Sequence, residues 1–195
     1  MAPITLRPPT FSSASQPATF QPPTIPWLAE TWHVTHSTLP LWKDKKNVRI
    51  QYTPLEPSLP SVAKDQTDRI DDLVTYQKAN SDKVNEIRGV DKAANPDSRG
   101  EWDWRGKGWL MIASSHWEIL GWGEEEGTSN KWMATVFAKT MFTPAGMDIY
   151  SQARTGVKPE TLAAIKEALA KVDDASVKKM AGEVFEIKSD ESRKD

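Results

Sequence analysis

Three histidines, a few paired charges and a run of indoles are the residues of this 195-residue chain whose chemistry goes beyond packing. Over Glu30–Ser37 a period of two puts Trp32, Val34 and His36 on one face, with His33 and Thr35 on the other. If Trp32 points into a core, His36 points the same way, as a hydrogen-bond partner for a ligand or a general base near neutral pH. A histidine satisfied by a neighbouring strand or by water is the competing and more common explanation. Tyr52 offers a phenol on the parity of Val48 and Ile50. Glu86 and Arg88 share parity with Val84 and Val90, as a buried pair orienting a polar ligand head or as a solvated face. His116 and Glu118 are an acid/base couple if turned inward; the binary pattern turns them outward. Positions 33, 36 and 116 lack metal-ligand spacing, and there is no Gly-x-Ser-x-Gly elbow. Arg105-Gly-Lys-Gly108 sits in a hairpin turn rather than ahead of a helix, so it is no phosphate cradle. Neither metal nor cofactor is expected.

Nine tryptophans are present, and six fall between Trp102 and Trp132, which makes that stretch the centre of any pocket. Trp102 and Trp104 share one parity, Trp109 and Met111 another, and Trp117 and Ile119 a third. Indoles aligned along strands either fill a β core or wall an apolar pocket. The candidate walls are Trp102, Trp104, Trp109, Met111 and Trp117, with Val34, His36, Ile50 and Tyr52 opposite.

The elements that must position these residues are mostly strands. Runs at Glu30–Ser37, Asn47–Thr53, Asp71–Lys78, Val84–Val90, Gly108–Ala113, His116–Trp122, Lys131–Lys139 and Met147–Ala153 make eight, joined by Gly- and Pro-marked turns. Short sequential connections favour an antiparallel meander that closes into an up-and-down barrel. After it, Pro159 and Glu160 open a helix whose Leu162, Ile165, Leu169 and Val172 form one stripe, suited to the barrel's outside. A short helical turn after Asp173 and an edge strand over Glu183–Ile187 complete the pattern. The predicted fold class is all-β with one C-terminal helix. Residues 1–26, which hold half of the 14 prolines, read as a disordered tail; 27–172 form the barrel and its helix; 173–195 are an extension ending in a charged tail.

A net charge of −2 and scattered Lys and Arg give no field for nucleic acid. Without cysteine there is no disulfide or thiolate chemistry, which suits a reducing compartment. No run of ~18 apolar residues spans a bilayer, and the N-terminus lacks a signal-type apolar core, so a cytoplasmic location is expected.

The chain resembles the lipocalin/calycin superfamily, and more closely the small cytosolic lipocalin-like proteins of fungi. Glu30-Thr31-Trp32 matches the first-strand Gly-x-Trp signature in its tryptophan. Ser129-Asn130-Lys131-Trp132 stands where the turn into the seventh strand carries Thr-Asp-Tyr. Arg154, after Tyr150-Ser-Gln-Ala and before the helix, matches the third signature. The resemblance implies an eight-stranded antiparallel barrel in which Arg154 packs over Trp32 and seals the closed end. It implies binding or carriage of a small hydrophobic metabolite of fatty-acid, terpenoid or polyketide type. The alternative is a cofactor-independent cyclase or isomerase of fungal secondary metabolism, using the same cavity with His36, Tyr52 or Arg88. A haem-binding barrel is a third, looser resemblance that needs one axial histidine.

Overall fold

The computed structural model describes residues 4–95, 97–141 and 143–193. Strands β1 (Thr31–Ser37), β2 (Lys45–Pro54), β3 (Arg69–Lys78), β4 (Val84–Ala93), β5 (Glu101–Gly106), β6 (Ser114–Glu124), β7 (Lys131–Phe137) and β8 (Gly146–Ser151) each pair antiparallel with the next. β1 pairs with both β2 and β8, so the sheet closes on itself as an eight-stranded barrel. A short helix, α1 (Ile25–Leu28), precedes β1; α2 (Pro159–Lys171) and α3 (Ala175–Glu183) follow β8. A two-residue strand, β9 (Phe185–Glu186), pairs with the end of β1.

Alternation sorts the two faces. Val48, Ile50 and Tyr52 of β2, Ile70 and Val74 of β3, and Trp102 and Trp117 point into one core. Trp132, Ala134 and Val136 of β7 and Met147 and Ile149 of β8 point outward, where Ile165, Leu169 and Val172 of α2 and Val177 and Met180 of α3 cover them. The second core exists because a helix stripe and a sheet face each remove the other's apolar surface from water.

Three bulges break the period of two: on β2 the register with β3 shifts between Lys46 and Arg49. On β1 the register with β8 shifts between Val34 and His36, and on β6 the register with β7 shifts between Ile119 and Gly121. Each inserts one unpaired residue, so side chains beyond it change faces. The fifth strand also departs from expectation: it is Glu101–Gly106, and residues 107–113 form a loop containing a 3₁₀ turn, Gly108–Leu110. Gly108 has φ +61°, and Leu110 N–H, Met111 N–H and Ala113 N–H bond to carbonyls three residues back, a geometry that cannot continue a ladder.

The closed end is built around Trp32, whose Nε1–H donates to the Leu28 carbonyl at 3.0 Å. Thr24 caps α1 by accepting from Trp27 N–H. The Trp27 ring lies 5.0 Å from Trp32 and 4.8 Å from Trp122. The cation at this end is Lys131, 5.5 Å over Trp27, a contact worth about 0.5–2 kcal/mol depending on its dryness. Arg154 does not fill that role. Its guanidinium donates to the Asp190 carbonyl and meets Glu191 at 3.6 Å, because the C-terminal extension offers it oxygens outside the barrel.

The Pro-rich start of the chain is not a loose tail over its described residues. β6 outruns β5, leaving the Ile119 and Leu120 carbonyls without a strand partner. Arg7 takes both, through Nε–H at 2.9 Å and its backbone N–H at 2.8 Å. Its guanidinium also donates to Gly100 and pairs with Glu118 at 2.8 Å, with both side chains almost fully buried. Thr10 N–H and His116 Nε2 complete the ring around Glu118. His116 and Glu118 thus face outward, as the binary pattern implies, under a strap supplied by the chain itself. Glu118's hydrogen bond raises the pKa of His116. At Glu118 burial opposes ionisation, and bonds from His116 and Thr10 outweigh it, leaving the pKa lowered. At Gly121 an added Cβ would stand 2.1 Å from the end of the Leu6 side chain and 3.1 Å from the Thr5 carbonyl, so a larger residue there would push on the strap.

Removing Arg7 leaves a buried carboxylate short of its strongest partner. Arg7→Ala should lower unfolding free energy by about 3 kcal/mol in urea titrations and expose residues before Trp27 to protease. An unchanged midpoint with an equally protected N-terminus would contradict the strap.

Candidate ligand-binding cavity

A cavity of about 530 Å³ occupies the upper half of the barrel, opposite α1. It opens between the β1–β2 connection (Leu39–Trp42), the 3₁₀ loop with Trp109 and Leu110, and the β7–β8 connection with Thr140, Thr143 and Pro144. Ile50, Val74, Ile87, Trp104, Trp117 and Phe137 make an apolar wall. Tyr52 stacks on Trp117 at 5.7 Å with 12° between the rings, and Trp102 stacks beneath Trp117 at 6.2 Å. Trp104 reaches its place over Gly89, where a Cβ would come within 2.2 Å of the indole nitrogen. At the rim Trp109 is 86% exposed, beside exposed Leu41 and Met141 on neighbouring loops.

The polar content of the cavity is acidic. Asp72 of β3 and Asp148 of β8 line it together with Tyr150, and Asp91 of β4 sits just behind Trp117. Trp117 Nε1–H donates to Asp91 Oδ1 at 2.7 Å, and Ser37 Oγ–H donates to Asp148 Oδ1. The remaining oxygens, Asp72 Oδ1, Asp91 Oδ2, Asp148 Oδ2 and the Tyr150 hydroxyl, have no hydrogen-bond partner. Asp72 pairs in register with Gly89 while Asp91 pairs with Ile70, so the two carboxyls are diagonal neighbours on one face.

Burial pushes Asp91 up to about 7, with Trp117's bond opposing and Asp103 and Asp71 adding to the rise. Burial likewise pushes Asp148 up to about 7, against the bond from Ser37 and the nearby Trp42 and Tyr150. Asp72 is raised well above the ordinary carboxyl value by burial and then by Asp91 and Asp71. Tyr52 is raised too, by burial first and then by Tyr150 and these acids, and Tyr150 by burial first and then Asp148, with a bond to Thr135 opposing. No Lys, Arg or His is among the described lining residues.

The residues singled out in the sequence divide. Ile50, Tyr52, Trp104, Trp109 and Trp117 line the cavity. Trp102 is fully buried beneath it and donates to the Arg99 carbonyl, so it fills core. Met111 is 64% exposed on the loop that replaced the expected strand. Val34 is buried in the inner core with Trp32 and Val48 and is not among the cavity's lining residues. His36 is turned out of the barrel by the β1 bulge: Nδ1 lies 3.1 Å from Thr35 Oγ1, and burial first and then Lys166 lower its pKa. Arg88 lies on the outer face, half-exposed, 3.5 Å from Asp71. Of the expected catalytic set only Tyr52 is in the cavity. Asp72, Asp148, Tyr150 and Asp91 went unnoticed, although Asp72 shares the parity of Ile70, Val74 and Tyr76, and a polar residue on an apolar parity was a readable signal.

No family model and no curated protein sequence matches the chain. Solved structures do. Apocrustacyanin C1 superposes with TM-score 0.56 at 12% identity, over 84% of this chain and 78% of that one. The siderocalin Ex-FABP gives 0.52 at 15%, over 84% and 95%. The amine binding protein of Rhodnius prolixus, in its tryptamine complex, gives 0.52 at 11%, over 82% and 77%. The fold is that of a lipocalin. At these identities the likeness is one of fold, and the lipocalin barrel's contents must be read from this chain's own residues. No helix among the described residues is long and apolar enough to cross a membrane.

The buried carboxyls have a thermodynamic signature. Asp91 and Asp148 hold protons more tightly folded than unfolded, so their contribution to stability should be full below about pH 4 and lost as pH rises through about 7. Asp148→Asn should therefore stabilise the protein at pH 8 by more than about 1 kcal/mol in urea unfolding, with the gain shrinking toward pH 4. A gain independent of pH would contradict the assignment.

Proposed function

We propose that this chain binds or carries a small hydrophobic molecule in the lipocalin barrel. One observation carries the reading: an apolar, aromatic-walled cavity of about 530 Å³ opening between three loops, where the barrel interior of this size could instead have been packed solid. Its volume falls within the range of about 300–1,000 Å³ typical of small-ligand sites. The similar structures support the reading by what their names say of them: a siderocalin with dual ligand specificities and an amine binding protein with tryptamine bound. A fatty acid, terpenoid or polyketide is among the guests we propose.

A second reading, a cofactor-independent cyclase or isomerase, is favoured by a specific feature. Asp148, with a pKa near 7 beside an unpartnered Tyr150 hydroxyl, is a carboxylic acid able to deliver a proton to a substrate folded against Trp117. In this reading the chemistry moves from His36 and Arg88 to the floor carboxyls.

Nile red, an uncharged apolar dye, should bind saturably at one per chain and quench tryptophan emission. Val74→Trp, which fills the cavity from its wall, should abolish binding while leaving the far-ultraviolet circular dichroism unchanged. Unsaturable dye uptake, or uptake unaffected by filling the cavity, would contradict the site.

A further inference from the structure

Three carboxyls stand in one barrel with aromatic faces above them and no cation among the described lining residues. We infer that the guest of this cavity is an organic cation: a hydrophobic molecule whose protonated nitrogen sits between Asp72 and Asp148, with its carbon skeleton against Trp104 and Trp117. The inference rests on the cavity being a ligand site and names the class of ligand.

The geometry supports it in three ways. First, Asp72 and Asp148 line the cavity at 6% and 1% exposure, and each presents an oxygen with no hydrogen-bond partner. Buried acceptors without donors are rare in folded proteins because each forgoes the hydrogen bond it had in water. An ammonium group brings up to three N–H donors to one point, matching two carboxyl oxygens and the Tyr150 hydroxyl. Second, every polar group facing these acids is itself acidic or neutral. Asp72 is faced by Asp91 from β4 and Tyr52 from β2, and Asp148 by Ser37 from β1, Tyr150 on its own strand and Trp42 from the rim. Glu86 adds a fourth acid at the rim. Nearby cations are spent elsewhere: Arg88 and Lys107 pair with Asp71 on the outer face, and Lys45 pairs with Asp44 while lying 5.6 Å over the ring of Tyr76. Third, stacked aromatic faces carry negative quadrupoles, which favour a cation and disfavour an anion.

These features discriminate among guests. A fatty-acid carboxylate lodged there would bring a negative charge against three carboxyls that burial already holds back from ionising. A neutral ketone would accept from one protonated carboxyl and leave the others as they are. A cation between Asp72 and Asp148 favours their ionised forms, so its binding must release protons below about pH 7.

The matched probes 4-phenylbutylamine, 4-phenyl-1-butanol, 4-phenyl-2-butanone and 4-phenylbutyrate separate these cases by isothermal titration with the full-length protein. The amine should bind at least tenfold tighter than the alcohol, and the butyrate more weakly than either. Amine affinity should rise from pH 6 to pH 8, with proton release at the lower pH seen as a dependence on buffer ionisation enthalpy. Asp72→Asn and Asp148→Asn should each weaken the amine at least tenfold, and weaken it more than they weaken the alcohol. The inference is overturned if Nile red binds but alcohol or ketone equals the amine, or if ketone affinity falls with rising pH while the amine's is flat. Absence of both dye and amine binding overturns the cavity reading itself. Should an Asn variant fail to fold, the wild-type amine-to-alcohol ratio and its pH profile still decide.

Discussion

Burying three carboxyl groups inside one β-barrel without a cation is the constraint on which the rest of this structure turns. An ionised carboxylate taken from water into an apolar interior costs several kcal/mol unless charge or hydrogen bonds compensate. Here compensation is partial: one indole N–H serves Asp91 and one hydroxyl serves Asp148, while an oxygen on each of the three acids goes without. Folding into this barrel therefore favours the protonated forms, and protonation becomes the variable through which a guest, a change of pH or a substitution acts. A packed interior of the same strands would have been easier to stabilise, and polar sites that oppose stability in this way are where function concentrates.

Everything around the acids restricts what can reach them. At one end Trp32, Trp27 and Trp122 pack together under Lys131 and close the barrel. At the other, three loops bring apolar side chains around a single mouth. Between them the column of Tyr52, Trp117 and Trp102 combines packing with polarity, because the middle ring spends its N–H on Asp91. The outer layer contributes rigidity. Helices α2 and α3 cover β7 and β8, and the N-terminal strap satisfies the carbonyls that β6 leaves beyond the end of β5. Glu118 and Asp148 make an instructive contrast: both are buried carboxyls, and the one given Arg7, Thr10 and His116 is held below its ordinary pKa while the one given Ser37 is lifted.

Much of this architecture is legible in the residues. The alternation of apolar side chains marks all but one of the eight barrel strands, and the stripe Ile165, Leu169, Val172 marks α2. Two physical events escape the pattern. A bulge shifts parity without leaving a sequence trace, which is why His36, on the face of Trp32 by counting, ends outside the barrel. Likewise the Leu-Met-Ile run after Trp109 imitates a strand, but Gly108 turns the chain, and those apolar side chains become the rim of a mouth. The strap was hidden for a different reason: its anchor, Arg7, finds partners more than ninety residues away, and proline-rich composition says nothing of them. The acids were visible and overlooked. Asp72 and Asp148 stand on inward parities among Ile70, Val74 and Tyr150, where a charged residue breaks the apolar pattern.

The direct measurement is a carboxyl-carbon NMR titration of the protein labelled with ¹³C at aspartate, without ligand, from pH 3 to pH 9. Asp91 and Asp148 should titrate near 7 and Asp72 well above the exposed aspartates, each assigned by its Asn variant. Titration of all three in the ordinary range, near about 4, would mean that water or an unrecognised partner already answers these charges. The electrostatic account of the cavity would then be wrong.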